Sequence, residues 1–213
     1  MTERTIVHLL RHGEVLNPAK ILYGRLPGYH LSDLGRQMAE RAVAYFADRD
    51  VAVVASSPME RAQETAAPIA AALGLPVRSD DRLIEAGNVF EGQAFGVGDG
   101  ALRHPRAWVH LRNPFRPSWG EPYVEIAARM HGAVATARAA ACDHEAVLVS
   151  HQLPIWVARL HAEKRCYLHD PRRRECSLAS VTSFEFRDDV LVTISYAEPS
   201  WDLLPRAQKV AGA

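Results

Sequence analysis

Three short apolar runs, at residues 6–10, 51–55 and 146–149, constrain this chain more than any other feature. Each is too brief for a buried helix, is rich in Val, Leu, Ile or Ala, and ends in polar residues. Such runs read as strands buried on both faces, as parallel strands are. Helical patterns lie between them. Residues 32–46 place Leu34, Met38, Ala42 and Tyr45 on one face, with Ser32 as N-cap. Ser57-Pro58-Met59-Glu60 reads as a capping box with proline at the first helical position, opening a helix that stops at Gly74. Residues 121–142 and the stretch after Pro154 read as further helices, and 77–79 as a short strand. Residues 180–186 and 190–196 read as a hairpin through Arg187-Asp188-Asp189. Strands alternating with helices predict an α/β fold with a largely parallel sheet.

The length of 213 residues, 48% of them hydrophobic, suits one domain spanning 1–213. Periodicity fades at about 92–122, where Gly, Pro, Trp and Arg dominate, so an insertion is expected there. Trp108, Phe115, Trp119 and Tyr123 with Arg103, Arg106, Arg112 and Arg116 suit either a satellite cluster or a lid that reads anionic groups. The tail after Pro199 reads as peripheral. The charge is balanced, 25 basic against 25 acidic residues, so no global field recruits nucleic acid or an anionic membrane. The N-terminus shows no leader pattern and no apolar run is long enough to span a bilayer. Cys142, Cys166 and Cys176 match no paired spacing, which predicts reduced thiols and a cytoplasmic setting.

Ligands of open α/β sheets sit beyond the carboxyl ends of the strands. Arg11-His12-Gly13 follows the first strand, Arg61 opens the helix after the second, Glu85 follows the third, and His151 follows the 146–149 strand. These residue types suit phosphoryl transfer. Arginines grip phosphate oxygens bidentately, and a helix N-terminus near Arg61 adds N–H groups. A neutral His12 can attack phosphorus while a carbonyl such as that of Gly13 fixes its tautomer. Gly13 is expected to allow a tight turn. His151 can bond oxygens on which charge develops, and Glu85 can protonate a leaving alkoxide. The arginines supply the positive charge, so neither a metal nor a cofactor is expected.

Taken together, Leu10-Arg11-His12-Gly13-Glu14, residues 56–66 (Ser-Ser-Pro-Met-Glu-Arg-Ala-Gln-Glu-Thr-Ala), Leu83-Ile84-Glu85 with Phe90-Glu91-Gly92, and Val149-Ser150-His151 resemble the histidine phosphatase superfamily, phosphoglycerate mutase-like branch. Tyr23-Gly24-Arg25, Leu31-Ser32-Asp33-Leu34-Gly35 and Gly120-Glu121 with Arg129 are similar to further segments of that branch. The resemblance implies a three-layer α/β/α sandwich with a mostly parallel central sheet and an inserted lid-like segment. It implies a phosphate pocket of Arg11, Arg61 and His151, a nucleophile at His12 and a proton donor at Glu85. Gly13, Asn17, Tyr23 and Gly24 are expected to bind substrate, and the ligand to be a small phosphorylated substrate or inorganic phosphate. Four departures stand out: Asn17 lies one place early with Pro18 at the expected position, Gln152 replaces a glycine, Phe90 a tryptophan and Pro122 a serine.

Competing readings are weaker. His8 and His12 could suggest a metal pair, but at about 3.3 Å per strand residue their rings lie too far apart. Arg172-Arg173-Arg174, flanked by Asp170 and Glu175, reads as a solvated loop, and no second feature supports a nucleic-acid patch. The expected activity is phosphomonoester hydrolysis. The alternatives are a mutase using the same pocket and a non-catalytic phospho-ligand binding protein on the same fold. The insertion, short and divergent, favours hydrolysis.

Overall fold

The computed structural model describes residues 4–93 and 120–208. Strands β1 (Arg4–Arg11), β2 (Val51–Ser56), β3 (Val77–Ser79), β4 (Glu145–Ser150), β5 (Val181–Arg187) and β6 (Val190–Ala197) form one six-stranded sheet ordered β3-β2-β4-β1-β5-β6. The first four positions in that order are joined in parallel. β5 runs antiparallel to β1, and β6 antiparallel to β5. The sheet is therefore a parallel half with an antiparallel ribbon along its β1 side.

Helices α1 (Asp33–Phe46), α2 (Glu60–Leu73), α3 (Tyr123–Ala141) and α4 (Gln152–Ala162) cover the two faces. Side-chain alternation along the strands divides the core. Val7, Leu9, Val53, Ala55, Ala146 and Leu148 pack with Ile126 and Met130 of α3 and Ile155 of α4. Their neighbours Leu10, Val54, Val147 and Val149 pack with Phe46 of α1 and Ile69 of α2. One strand period thus feeds two apolar layers, giving an α/β/α sandwich.

The strand order positions the site. β4 lies between β1 and β2, so Arg11 pairs with Ser150 and Ser56 with Val149. The turns after three strands distant in sequence leave the sheet side by side. His12 N–H donates to Ser150 O at 3.1 Å and Ser57 N–H to Val149 O at 2.9 Å.

Three local expectations need correction. Helix α2 begins at Glu60 with Met59 at the cap and no side-chain capping bond, so Ser57-Pro58-Met59-Glu60 is not a capping box. The Ser57 hydroxyl instead bonds His151 at 2.8 Å. The tail after Pro199 is not peripheral, since Leu203 packs with Met38 and Ala179 and Gln208 N–H donates to Glu14 at 2.7 Å. Gly13 makes no left-handed turn; its reason is steric and is given below. Other boundaries shift by a residue or two, within ordinary fraying. Ser32 does cap α1, accepting from Gly35 N–H at 2.9 Å, and Gly74 ends α2 at φ +67°.

The expected lid, with Arg103, Arg106, Trp108, Arg112, Phe115, Arg116 and Trp119, lies outside the described residues. Its flanks are anchored: Gly92 N–H donates to Leu22 O at 2.9 Å and Glu121 N–H to Gly87 O at 3.1 Å. Among the described residues, no helix is long and apolar enough to cross a membrane, and no cluster of His, Cys, Asp and Glu could hold a metal ion. His8, the imagined metal partner of His12, instead lies between Ser183 and Glu145 at 2.8 and 2.9 Å.

Candidate active site

His12 sits at the end of β1, fully buried. Its Nδ1 lies 2.7 Å from the carbonyl of Gly13, which only a protonated Nδ1 can satisfy. In the neutral ring, Nε2 then carries the lone pair, and Arg61 Nε–H points at it from 3.4 Å. Burial, then the charges of Arg61 and Arg11, hold the His12 pKa well below its usual 6.5. The ring is therefore neutral and directed, as an attacking imidazole must be.

Arg61 comes from the first turn of α2 and is the largest fully buried side chain described. Its Nη2 donates to Gly24 O at 2.7 Å, and its guanidinium lies over the Tyr23 ring at 4.7 Å from the centroid. Its Nη1 has no hydrogen-bond partner among the described residues. A buried guanidinium N–H left open beside a neutral histidine is a vacant anion donor. Thr65, one turn along α2, accepts from Gly13 N–H at 3.1 Å and donates to Arg61 O at 2.8 Å. That hydroxyl locks the His12 loop to the Arg61 turn. Arg11, also buried, donates through Nη1 to Cys176 O at 2.7 Å.

His151 follows β4 and lies edge-on to His12, with ring centroids 5.1 Å apart. Its Nε2 faces the Ser57 hydroxyl, while its Nδ1 has no hydrogen-bond partner among the described residues and lies 3.9 Å from Glu85. Burial, then Arg61, keeps its pKa well below 6.5. Glu85 follows the 3₁₀ turn Asp81–Leu83 and accepts from Ala86 N–H at 2.8 Å. Burial raises its pKa above 4.5, despite the opposing pull of Arg61 and Arg11. Glu85 is thus displaced upward while His12 and His151 are displaced downward, so all three groups are held toward their neutral forms.

The five ionisable groups singled out in the sequence thus occupy one place. The remaining candidates have structural contacts of their own. Tyr23 and Gly24 hold Arg61. Asn17 closes its own loop, its amide exchanging bonds with the backbone of Ile21 at 2.8 and 3.2 Å. Gly13 is needed because a Cβ there would lie 2.5 Å from Gly35 O, at the start of α1. Sequence reasoning missed Ser57, Thr65 and Arg174, the last of which turns inward while Arg172 and Arg173 stay exposed. Ser57 and Thr65 carried a signal: each is a polar residue four places from Arg61.

A parallel-sheet edge carrying a buried neutral histidine, two arginines, a second histidine and an elevated carboxyl defines a phosphoryl-transfer class of protein. A model of the histidine phosphatase superfamily (branch 1) matches residues 7–198, and the chain belongs to that family. It is 57% identical over 200 residues to Rv0525 of Mycobacterium tuberculosis, covering 94% of this chain and 99% of that protein. It is 29% identical over 188 residues to the probable phosphoglycerate mutase GpmB of Yersinia pestis, covering 82% and 83%. Among solved structures, it resembles the mycobacterial glucosyl-3-phosphoglycerate phosphatase Rv2419c with a TM-score of 0.73 and 26% identity, over 92% of this chain and 98% of that one. That phosphatase is also known with VO3 and with inorganic phosphate. The family and these relatives include both phosphatases and mutases, which supports an enzyme of the phosphoryl-transfer kind.

Proposed function

We propose that the chain is a metal-independent phosphomonoester hydrolase working through a phosphohistidine on His12. The observation that carries this is the buried, neutral His12 with Nδ1 spent on Gly13 O and Nε2 facing Arg61. Arg11 and Arg61 hold the phosphate oxygens, Arg61 through the open Nη1. With the Ser57 hydroxyl donating to Nε2 of His151, the neutral ring keeps its proton on Nδ1 and offers that N–H as a hydrogen bond to a phosphoryl oxygen as charge builds.

The lone pair of His12 Nε2 forms the N–P bond while the ester P–O bond breaks, and protonated Glu85 gives its proton to the departing alkoxide. Glu85, now a carboxylate, takes a proton from the water that attacks the phosphohistidine. That step releases inorganic phosphate and restores both residues. One feature supports hydrolysis over isomerisation of the substrate: a Glu85 side chain that keeps 14% of its surface exposed, within reach of water.

The test is phosphate release from a panel of phosphomonoesters. His12→Ala is expected to lower turnover by more than about a thousandfold, the scale of removing a nucleophile. Rapid quench of the wild type should trap an acid-labile phosphoenzyme. A His12→Ala variant turning over at the wild-type rate sinks the reading. Isomerisation of phosphoglycerate outrunning phosphate release assigns the site to a mutase instead.

A further inference from the structure

Arg174 is the third arginine of an apparently solvated run, yet it alone of the three turns inward. It lines a cavity of about 250 Å³ together with Gly24, Glu85, Tyr123 and Gln152. Several other arginines have carboxylate mates: Arg25 and Arg129 share Glu121, and Arg159 meets Glu163 and Glu175. Arg174 has none among the described residues. Its Nε donates to His169 Nε2 at 2.9 Å and its Nη1 to Gln152 Oε1 at 3.2 Å, both neutral acceptors. Glu85 acts on it only through space, and no ion pair joins them.

The two neutral partners are themselves fixed. His169 Nδ1 lies 2.6 Å from Tyr167 O, so the ring proton sits there and Nε2 is free to accept. Gln152 Nε2 donates to Cys176 O at 3.4 Å, the same carbonyl that accepts from Arg11 Nη1 at 2.7 Å. One backbone carbonyl therefore sets the spacing between a phosphate-gripping arginine and Arg174. Gln152 is also the residue directly after His151, where the family resemblance leads one to expect glycine. A desolvated guanidinium without a counter-ion, held rigid beside the proton donor, is an anion site waiting for its anion.

We propose that Arg174, oriented by Gln152 and His169, binds a second anionic group on the alcohol portion of the substrate, a carboxylate or a further phosphate. This rests on the phosphatase reading of the site. It places the second anion on the leaving-group side, because the cavity is bordered by Glu85. The substrate class is thereby narrowed from phosphomonoesters at large to those whose alcohol is itself anionic.

The experiment compares kcat/KM for three matched esters: glycerol 3-phosphate, 3-phosphoglycerate and glycerol 1,3-bisphosphate. The wild type is expected to favour one or both of the anionic pair over glycerol 3-phosphate, by at least tenfold. The carboxylate and bisphosphate arms show which anion is read. Arg174→Gln should collapse that preference to near unity, chiefly through KM, and Arg174→Lys should restore part of it. Each preference is a ratio measured within one preparation, so partial misfolding of a variant does not affect it. No wild-type preference, or a preference that survives Arg174→Gln, overturns the inference and leaves the phosphatase reading standing. A wild type inactive on all three, and on other phosphomonoesters, overturns both.

Discussion

At the residue scale, the proposed mechanism rests on two titratable groups moved apart. His12 is pushed well below 6.5 by burial and two arginines, and Glu85 is raised above 4.5 by burial. Attack needs neutral His12, so activity falls as pH drops through the depressed histidine pKa. Leaving-group protonation needs neutral Glu85, so activity also falls as pH rises through the elevated carboxyl pKa. The profile is expected to be a bell. Glu85→Gln should lower turnover of an alkyl phosphate by about a hundredfold to ten-thousandfold, the usual worth of a positioned acid. Nitrophenyl phosphate, whose leaving group needs no proton, should suffer far less, and the high-pH limb should disappear. Equal losses on both esters, or an unchanged alkaline limb, would remove Glu85 from its role. This pair of groups was legible in the sequence because the chemistry demands those residue types at strand ends. Their exact supports were not. Ser57 satisfies a capping rule by sequence, yet its hydroxyl faces His151 once β4 is inserted between β1 and β2. Strand order is a long-range property that no local pattern contains.

At the scale of elements, the His12 loop is held by a backbone-to-backbone approach. A Cβ on Gly35, in the first turn of α1, would lie 2.0 Å from Glu14 O, and one on Gly13 would lie 2.5 Å from Gly35 O. Ser32 N–H donates to Glu14 O at 2.9 Å, and the Ser32 hydroxyl to the Glu14 carboxylate, so α1 is stitched to the residues just after His12. Gly35→Ala must therefore part the helix from the loop. Overpacking of this kind costs about 1–3 kcal/mol. A lowered denaturant midpoint together with a drop in kcat is expected, because the same displacement tilts His12. A Gly35→Ala protein with unaltered midpoint and kcat would show that the contact relaxes freely. The helices were readable from a period of 3.6, and the parallel strands from short unbroken apolar runs. The need for glycine at 13 was readable only as a turn, because the clash arises from α1, a neighbour supplied by the fold. Arg174 was hidden for a related reason: within a run of three arginines, only tertiary structure decides which one turns inward.

On the scale of the whole molecule, the buried site ties function to stability. His12 and His151 are both held below their unfolded pKa of 6.5. Between that value and their folded pKa, the unfolded chain binds protons that the native protein does not. Their contribution is present above 6.5 and is lost as pH falls, at about 1.4 kcal/mol per pH unit for each group. Glu85 acts in the opposite sense, since its folded pKa is raised. Its contribution is full below 4.5 and fades as pH rises. Two histidines outweigh one carboxyl, so the melting midpoint should fall between about pH 7 and pH 5.5. Inorganic phosphate should counter this by binding only the assembled cluster of Arg11, Arg61 and His151. At a hundred times its Kd it would stabilise the native state by about 2.7 kcal/mol. Arg61→Ala should abolish that gain, because the open Nη1 goes with it. A midpoint that holds steady or rises on acidification contradicts the neutral-histidine site, and a phosphate gain that persists in Arg61→Ala places the anion elsewhere. In the proposed mechanism the polar centre is thus also an acid-sensitive part of the fold, since neutrality at His12 is needed for both attack and burial.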